Sequence, residues 1–256
     1  MVKTVSVSIV SYNSANELPA VLDSLFAATK GVALSVYVVD NHSADDTLTL
    51  LSAQYPQVSV ISLDDNVGFG AAHNRVLPLL TSEYHAIINP DIVFKDDVLT
   101  ALCEYLDEDA DAVLATPLIL NPDGTPQAVP RVLPKRRYMF AGQLERFGGV
   151  FRKWRDTYTR RNETFTQPTP VEFCTGCFMV WRTSVLQELG GFDDRFFMYM
   201  EDADLSRRGA KFGKLMLCPQ VSVTHVWEKA SSKSRHFLKI HLRSMQLYFA
   251  KWRKQA

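Results

Sequence analysis

Five β-rich runs separated by stretches of helical spacing occupy the first 120 residues, and nothing else in the chain narrows its fold as much. Residues 5–11, VSVSIVS, open the series, and a helix is expected over 16–28 with Pro19 tolerated in its first turn. An apolar run at 34–40 ends in Asp40. Ser43 then stands where an N-cap would, with Asp45 and Asp46 in the first turn of the next helix. Strands are expected again at 58–63, 84–89 and 112–117, and helices at 70–80 and 96–106. Alternation of this kind gives a mostly parallel sheet covered by helices on both faces. Ligands of such sheets sit beyond the carboxyl ends of the strands, where Asp40, Asn89 and Asp91 fall.

The second half is less regular. Prolines at 122, 126, 130, 134, 168 and 170 surround a basic block from Arg131 to Arg161, which reads as an excursion with some helix and not as a separate domain. A strand is expected over 173–181, a short helix over 184–189 closed by Gly190 and Gly191, a helix over 201–212, and strands at 215–218 and 221–225. The net charge of zero is divided sharply. Residues 1–130 carry 4 Lys/Arg against 17 Asp/Glu, a net of −13, and the remainder carries +13. A division of this kind marks a partner-binding half, with anionic lipid, diphosphate or nucleic acid as the candidates. No nucleic-acid motif accompanies the cations. No stretch reaches the roughly 20 apolar residues that span a bilayer. The N-terminal run alternates too strictly for a signal peptide and reads as a buried strand. The four cysteines form no disulfide framework and point to a reducing compartment.

Several groups of residues can carry chemistry. Asn89-Pro90-Asp91 follows the apolar run Ala86-Ile87-Ile88, so Asn89 and Asp91 can face one ligand. Carboxylate oxygens at a strand end suit a hard divalent cation with a diphosphate, although an Asx-Pro turn needs no metal. Glu201, Asp202 and Asp204 open a helix beside Phe196, Phe197, Met198, Tyr199 and Met200. An apolar wall desolvates a carboxylate and raises its pKa, which suits a general base. His225 ends a strand beside Trp227 and is a candidate metal ligand. Gly68-Phe69-Gly70 opens like a dinucleotide fingerprint but places His73 at the third glycine position. Cys174-Thr175-Gly176-Cys177 is a single pair inside an expected strand, structural or substrate-facing rather than redox-active. In the tail, Phe237, His241, Met245, Tyr248 and Trp252 share one helical face, widened by Leu238, Leu242 and Phe249. Lys233, Arg235, Lys239, Arg243, Lys251, Arg253 and Lys254 supply its cations. Such a helix can lie on an anionic membrane, pack on its own domain, or do both with different faces.

Together these residues resemble family 2 glycosyltransferases, in particular the bacterial rhamnosyltransferase-like branch that builds O-antigen and related cell-surface polysaccharides. The resemblance implies a GT-A type α/β fold: a Rossmann-like, mostly parallel sheet flanked by helices, with a C-terminal acceptor-side region and an amphipathic helix. Ser11-Tyr12-Asn13 looks like the opening signature, and Asp40-Asn41-His42-Ser43 like the turn that holds base and ribose. Asn66, Gly68, Phe69, Gly70 and Asn74 match a segment lining the nucleotide-sugar site. Asn89-Pro90-Asp91 matches the branch's D-x-D metal motif with Asn89 in place of the first acid, and His225 completes the shell as in relatives. Cys174, Thr175, Gly176 and Tyr199 fall on the acceptor side, and Glu201-Asp202 matches the pair that supplies the catalytic base.

The resemblance implies a division into a GT-A domain over 1–232, with donor half 1–120 and acceptor half 121–232, followed by a basic helix over 233–256. It implies an inverting transfer that needs Mg²⁺ or Mn²⁺. The donor is a nucleotide sugar, with dTDP-L-rhamnose favoured over UDP-galactofuranose, UDP-glucose or UDP-N-acetylhexosamine. The acceptor is a polyprenyl diphosphate-linked saccharide at the inner face of the plasma membrane, and nucleic acid is not a partner. The rival readings are a sugar nucleotidyltransferase, which would want a glycine-rich loop where Ser11-Tyr12-Asn13-Ser14 stands, and a non-catalytic binding protein.

Overall fold

The computed structural model describes residues 2–129, 131–226 and 235–253. Its strands form one sheet. β1 (Lys3–Ser11) lies between β2 (Val32–Asp40) and β4 (Tyr84–Ile88), parallel to both, and β3 (Ser59–Ser62) extends the parallel half beyond β2. The alternation in β1 has a direct outcome. Val5, Val7 and Ile9 enter the main core, while Ser6 and Ser8 meet a buried histidine pair. Ser6 Oγ is 2.7 Å from His85 Nδ1, and Ser8 Oγ bridges His85 Nε2 at 2.9 Å and His73 Nδ1 at 2.8 Å. Burial pushes both imidazoles down to about 3, so they stay neutral.

On the other side of β4, β8 (Phe178–Arg182) runs antiparallel and is followed by β6 (Ala112–Leu120) and then β9 (Lys214–His225), parallel to β6. β9 serves two further partners. Its first half pairs with β7 (Thr169–Pro170), and its last residues pair with β5 (Ile92–Phe94), where Ile92 faces His225. Between them the register against β6 slips from Pro117–Cys218 to Leu118–Ser222, a bulge at Pro219, which has no N–H to donate. The two strands expected at 215–218 and 221–225 are therefore one bulged strand, and β5 and β7, at three and two residues, are too short to show a period.

The helices are α1 (Leu18–Ala28), α2 (Thr47–Gln54), α3 (Phe69–His73), α4 (Val98–Glu108), α5 (Arg136–Leu144), α6 (Gly149–Thr159), α7 (Thr183–Glu188), α8 (Glu201–Gly209) and α9 (Arg235–Lys251). Three local expectations are corrected. Ser43 does not cap α2, which starts after Asp46; its hydroxyl accepts instead from the Asn13 N–H at 2.8 Å. The helix expected over 70–80 stops at His73 and resumes as a single 3-10 turn, Leu77–Leu79, because the Pro78 ring would clash with the Asn74 carbonyl. Residues 173–177 are an irregular segment ahead of β8, not its first half.

α5 and α6 form a hairpin in the basic excursion, with Tyr138 and Tyr158 stacked at 5.6 Å. α9 lies on the domain. Tyr248 and Trp252 are buried against Phe173, Phe196, Met200 and Ala203, while Leu238 and Leu242 remain 49% and 46% exposed. Trp227, Lys233, Lys254 and the boundary expected at 232/233 lie outside the described residues. No helix among the described residues is long and apolar enough to cross a membrane.

A buried ion cluster joins α9 to α8. The Asp204 carboxylate is fully buried and accepts from Arg208 Nε at 2.9 Å, Lys251 Nζ at 2.8 Å and Trp252 Nε1 at 2.9 Å. Lys251 Nζ also donates to Asp193 at 2.7 Å. Removing one member of a buried pair typically costs about 3–5 kcal/mol, and the water still reaching Arg208 and Lys251 puts Asp204→Ala near the lower end. The expected outcome is a loss of about 3 kcal/mol in denaturant unfolding. A loss below about 1 kcal/mol would show that the cluster does not hold α9 in place.

Candidate active site

The chain enters α8 through two consecutive non-glycine residues in the left-handed region, Tyr199 and Met200, both at φ +70°. Each such conformation costs of order 1–3 kcal/mol, so the surroundings must impose it. Met200 is buried beside Phe196 and Tyr248, and the Tyr199 ring packs on His241 with centroids 5.0 Å apart. The turn points the first two helical residues, Glu201 and Asp202, into a cavity of about 430 Å³. Phe69, Asn89, Thr175, Gly176, Tyr199 and His225 line the same cavity.

The two acids are held differently. Glu201 is buried, and its Oε2 has no hydrogen-bond partner among the described residues. Burial first, and the Asp202 charge second, push its carboxyl well above the usual range. One Asp202 oxygen accepts from the Gly176 N–H at 3.1 Å and the other from the Ala203 N–H at 2.8 Å. Burial still raises its pKa, opposed by those two donors and by the charge of Arg131. Neighbouring carboxyls in one apolar wall resist double ionisation, so the pair favours a single negative charge on Asp202, where the donors are. Gly176 permits this contact. A Cβ there would lie 3.0 Å from the Phe69 ring and 3.4 Å from Asp202 Cβ.

Because β5 pairs with the end of β9, Asp91 meets His225: Oδ1 and Nε2 are 3.1 Å apart. Both atoms are buried, and neither makes a hydrogen bond among the described residues. On the other side of the ring, His225 Nδ1 is 3.2 Å from Gln127 Oε1, and Gln127 Nε2 donates to the His225 carbonyl at 3.1 Å. Gln127 thus favours the tautomer that leaves a lone pair on Nε2, directed at Asp91. An oxygen and a nitrogen, both buried and without a hydrogen bond, fit a divalent cation that takes its remaining ligands from substrate oxygens. No group of three or more His, Cys, Asp or Glu able to hold a metal occurs among the described residues.

The ends of β1 and β2 form a separate polar ledge. Asp40 is buried, accepting from Ser11 Oγ at 3.1 Å and the Ser43 N–H at 3.0 Å. Asn13, at φ +54°, accepts from the Ala44 N–H at 2.8 Å, and Tyr12 is 52% exposed above it. Asn41 links this ledge to the cavity: its Nδ2 donates to Asn66 Oδ1 at 2.9 Å and to the Gly68 carbonyl at 3.2 Å. From there the Phe69 N–H donates to the Phe197 carbonyl at 2.9 Å, just ahead of the strained turn.

Besides the ledge residues, Asn66, Gly68 and Asp91, the anticipated residues Gly70, Asn74 and Cys174 also lie apart from the cavity lining. Gly70 packs under Phe192, and Asn74 makes paired hydrogen bonds with the Phe192 backbone at 2.9 Å each, so both shape the wall from behind. The Cys174 side chain is buried in a core with Trp181 and Leu205, whereas Cys177 lines the cavity. Cys174, which the resemblance puts on the acceptor side, thus lies behind the lining, and Cys177, the residue after the turn at Gly176, faces the cavity. All four thiols are free and buried, and burial raises Cys177 to about 12. Sequence reasoning missed Gln127 and Arg131, which line the cavity from the proline-rich excursion, where no periodicity marks them.

The arrangement is that of a GT-A glycosyltransferase. Among solved structures with this fold is GalNAc-T7 with UDP, GalNAc and Mn²⁺, superposing with a TM-score of 0.70 at 16% identity over 98% of this chain and 49% of that one. The sequence model of glycosyl transferase family 2 matches residues 6–190, and the chain belongs to that family. It is 30% identical to the N-acetylglucosaminyl-diphospho-decaprenol L-rhamnosyltransferase of Mycobacterium tuberculosis, across 98% of this chain and 85% of the relative. It is also 28% identical to the rhamnosyltransferase WbbL of Escherichia coli K12, across 73% and 71% of the two chains.

Gly68 gives a direct test of the wall. It sits at φ +91°, and a Cβ would lie 2.2 Å from the Phe197 carbonyl oxygen. Gly68→Ala is expected to lose glycosyl transfer and about 1–3 kcal/mol of stability, because the backbone it strikes cannot move without the acid pair. Full activity in this variant would mean that the contact with Phe197 is not needed.

Proposed function

We propose that the protein transfers L-rhamnose from dTDP-L-rhamnose, with inversion, onto a saccharide carried by polyprenyl diphosphate, in the synthesis of a cell-surface polysaccharide such as O-antigen. The observation that carries the reading is Asp202: a carboxylate with raised proton affinity, fixed by two backbone N–H groups, on a cavity that His225 also lines. The rhamnosyl group and the diphospho-decaprenol acceptor in the name of the Mycobacterium tuberculosis relative support the choice of sugar and acceptor. The fold also accommodates UDP-sugar donors, so UDP-galactofuranose, UDP-glucose and UDP-N-acetylhexosamine are the comparison arms.

In this reading the ledge of Ser11, Tyr12, Asn13, Asp40, Asn41 and Ser43 holds the nucleotide, and Asn66, Gly68, Phe69 and Asn89 carry the site toward the sugar, with Gly70 and Asn74 behind them. Asp91 and His225 would hold a divalent cation, Mg²⁺ or Mn²⁺, which would offset the charge of the diphosphate. Thr175, Gly176 and Tyr199 face the acceptor, and Cys174 supports that segment from the core. Asp202 takes the proton of the acceptor hydroxyl as its oxygen attacks the anomeric carbon. The bond from that carbon to the diphosphate breaks on the opposite face, so configuration inverts. Glu201, held neutral, keeps a second charge away from the attacking oxygen. Residues 1–120 serve the donor and 121–232 the acceptor. The outward side of α9, with Lys239, Arg243 and Arg253 exposed beside Leu238 and Leu242, faces the anionic inner leaflet.

The test is a donor panel with purified protein, Mg²⁺ or Mn²⁺ and a synthetic GlcNAc-diphospho-lipid. Product is expected from dTDP-L-rhamnose and lost with chelator. Asp202→Asn should lower the rate by about 10²–10⁴-fold while calorimetry shows donor binding intact. Most activity surviving in the variant would refute the base, and product from a UDP-sugar alone would refute the donor.

A further inference from the structure

We propose that Arg131 holds the diphosphate of the acceptor, an inference that deepens the reading above and rests on its lipid-linked acceptor. Arg131 stands just ahead of the α5–α6 hairpin and lines the catalytic cavity together with Thr175, Tyr199 and Asp202. Among the described residues it is the one Lys or Arg on that lining. The backbone fixes its position. Its N–H donates to the Phe173 carbonyl at 3.4 Å, and the next N–H, that of Val132, donates to the Tyr158 carbonyl at 3.2 Å. The side chain is held as well: Nε donates to the Ala128 carbonyl at 3.2 Å, and the guanidinium lies 5.7 Å from the centre of the Tyr158 ring. It forms no ion pair among the described residues. A second cation stands near it. Burial first, and the Arg131 charge second, push the half-buried Arg155 of α6 below its ordinary value. An anion bound at Arg131 would offset that repulsion.

The proposed reaction brings two diphosphates to one cavity. The donor's is met at Asp91 and His225, which would supply a divalent cation. The acceptor's has no such partner. When the accepting saccharide is a single sugar, its diphosphate lies only one ring away from the hydroxyl that Asp202 deprotonates. The Asp202 charge repels an anion at that range, and Arg131 is placed to oppose it, since its own charge reaches Asp202. A guanidinium fork also matches two phosphate oxygens at once, which an ammonium does not. The same short stretch therefore serves both sides of the cavity. Gln127 orients His225 on the metal side, and Arg131, four residues on, faces the acceptor. A residue that acted only on the proton affinity of Asp202 would affect every acceptor alike, and that difference decides the test.

The experiment compares two synthetic acceptors on the full chain: a GlcNAc-diphospho-lipid, and the same lipid glycoside without the diphosphate. The wild type is expected to favour the first in kcat/KM. Arg131→Gln should narrow that preference by about ten-fold or more, the worth of a charge-assisted hydrogen bond. Arg131→Lys should recover part of it, because the charge stays and the fork is lost. A wild type without the preference, or equal losses on both acceptors in Arg131→Gln, would overturn the proposal. So would a rise in donor KM as large as the rise in acceptor KM, which would assign Arg131 to the donor's diphosphate. Calorimetry of the GlcNAc-diphospho-lipid without donor reports separately. Binding that weakens in Arg131→Gln while no donor gives product keeps the site and sinks the assigned reaction. Turnover from dTDP-L-rhamnose with an unchanged acceptor preference sinks the site alone.

Discussion

Two adjacent carboxyl groups at the head of α8 face one cavity, and the cost of putting charge there governs the surrounding structure. Glu201 has no donor and is pushed toward its neutral form, while Asp202 is met by the Gly176 and Ala203 N–H groups. Keeping that asymmetry requires the backbone of residue 176 to come close, where a Cβ would press on the Phe69 ring at 3.0 Å. It also requires α8 to begin abruptly, which the left-handed pair Tyr199 and Met200 achieves at the expense of local strain. The strain is held by α9, whose Tyr248 and Trp252 bury Met200 and whose Lys251 and Trp252 fasten to Asp204 one turn into α8. The C-terminal helix is thus part of the scaffold of the acid pair, and its outer side remains open.

The second constraint is topological. His225 and Asp91 are 134 residues apart in sequence and meet only because β9 bulges at Pro219 and then pairs with the three residues of β5. The same pairing brings Gln127 from the excursion against the outer nitrogen of His225. In the proposed reading, donor-side groups come from the parallel half of the sheet and acceptor-side groups from the mixed half. Asn41 and Gly68 form the seam between them.

Much of this was legible in the chain. The parallel half could be read because buried strands and amphipathic helices leave different periods, and Val5, Val7, Ile9, Leu22 and Leu102 are core residues as those periods require. The acid pair could be read from the aromatic residues ahead of it. What was not legible depends on contacts distant in sequence. Ser43 is drawn from its capping position by Asn13, Pro78 breaks a helix whose apolar spacing continues, and the turn at Gly176 puts Cys177 and not Cys174 on the cavity. Gln127 and Arg131 gain their place only through the path of the excursion, which follows no repeat. Whether α9 packs on the domain could not be decided from its pattern, since both faces carry apolar residues. The Asp204 cluster decides it.

The central claim is that Asp202 is the base and that burial raises its proton affinity. The most direct measurement is the pH dependence of kcat/KM for glycosyl transfer. A base must be unprotonated to act, so the rate should climb with pH through the raised Asp202 pKa, giving an acidic limb above the ordinary carboxylate value of about 4. The buried His73 and His85, neutral through this range, add no limb of their own. The account predicts that the limb disappears from the residual activity of Asp202→Asn. A limb that stays in place in that variant, or a wild-type rate that stays flat down to about pH 4, would contradict it.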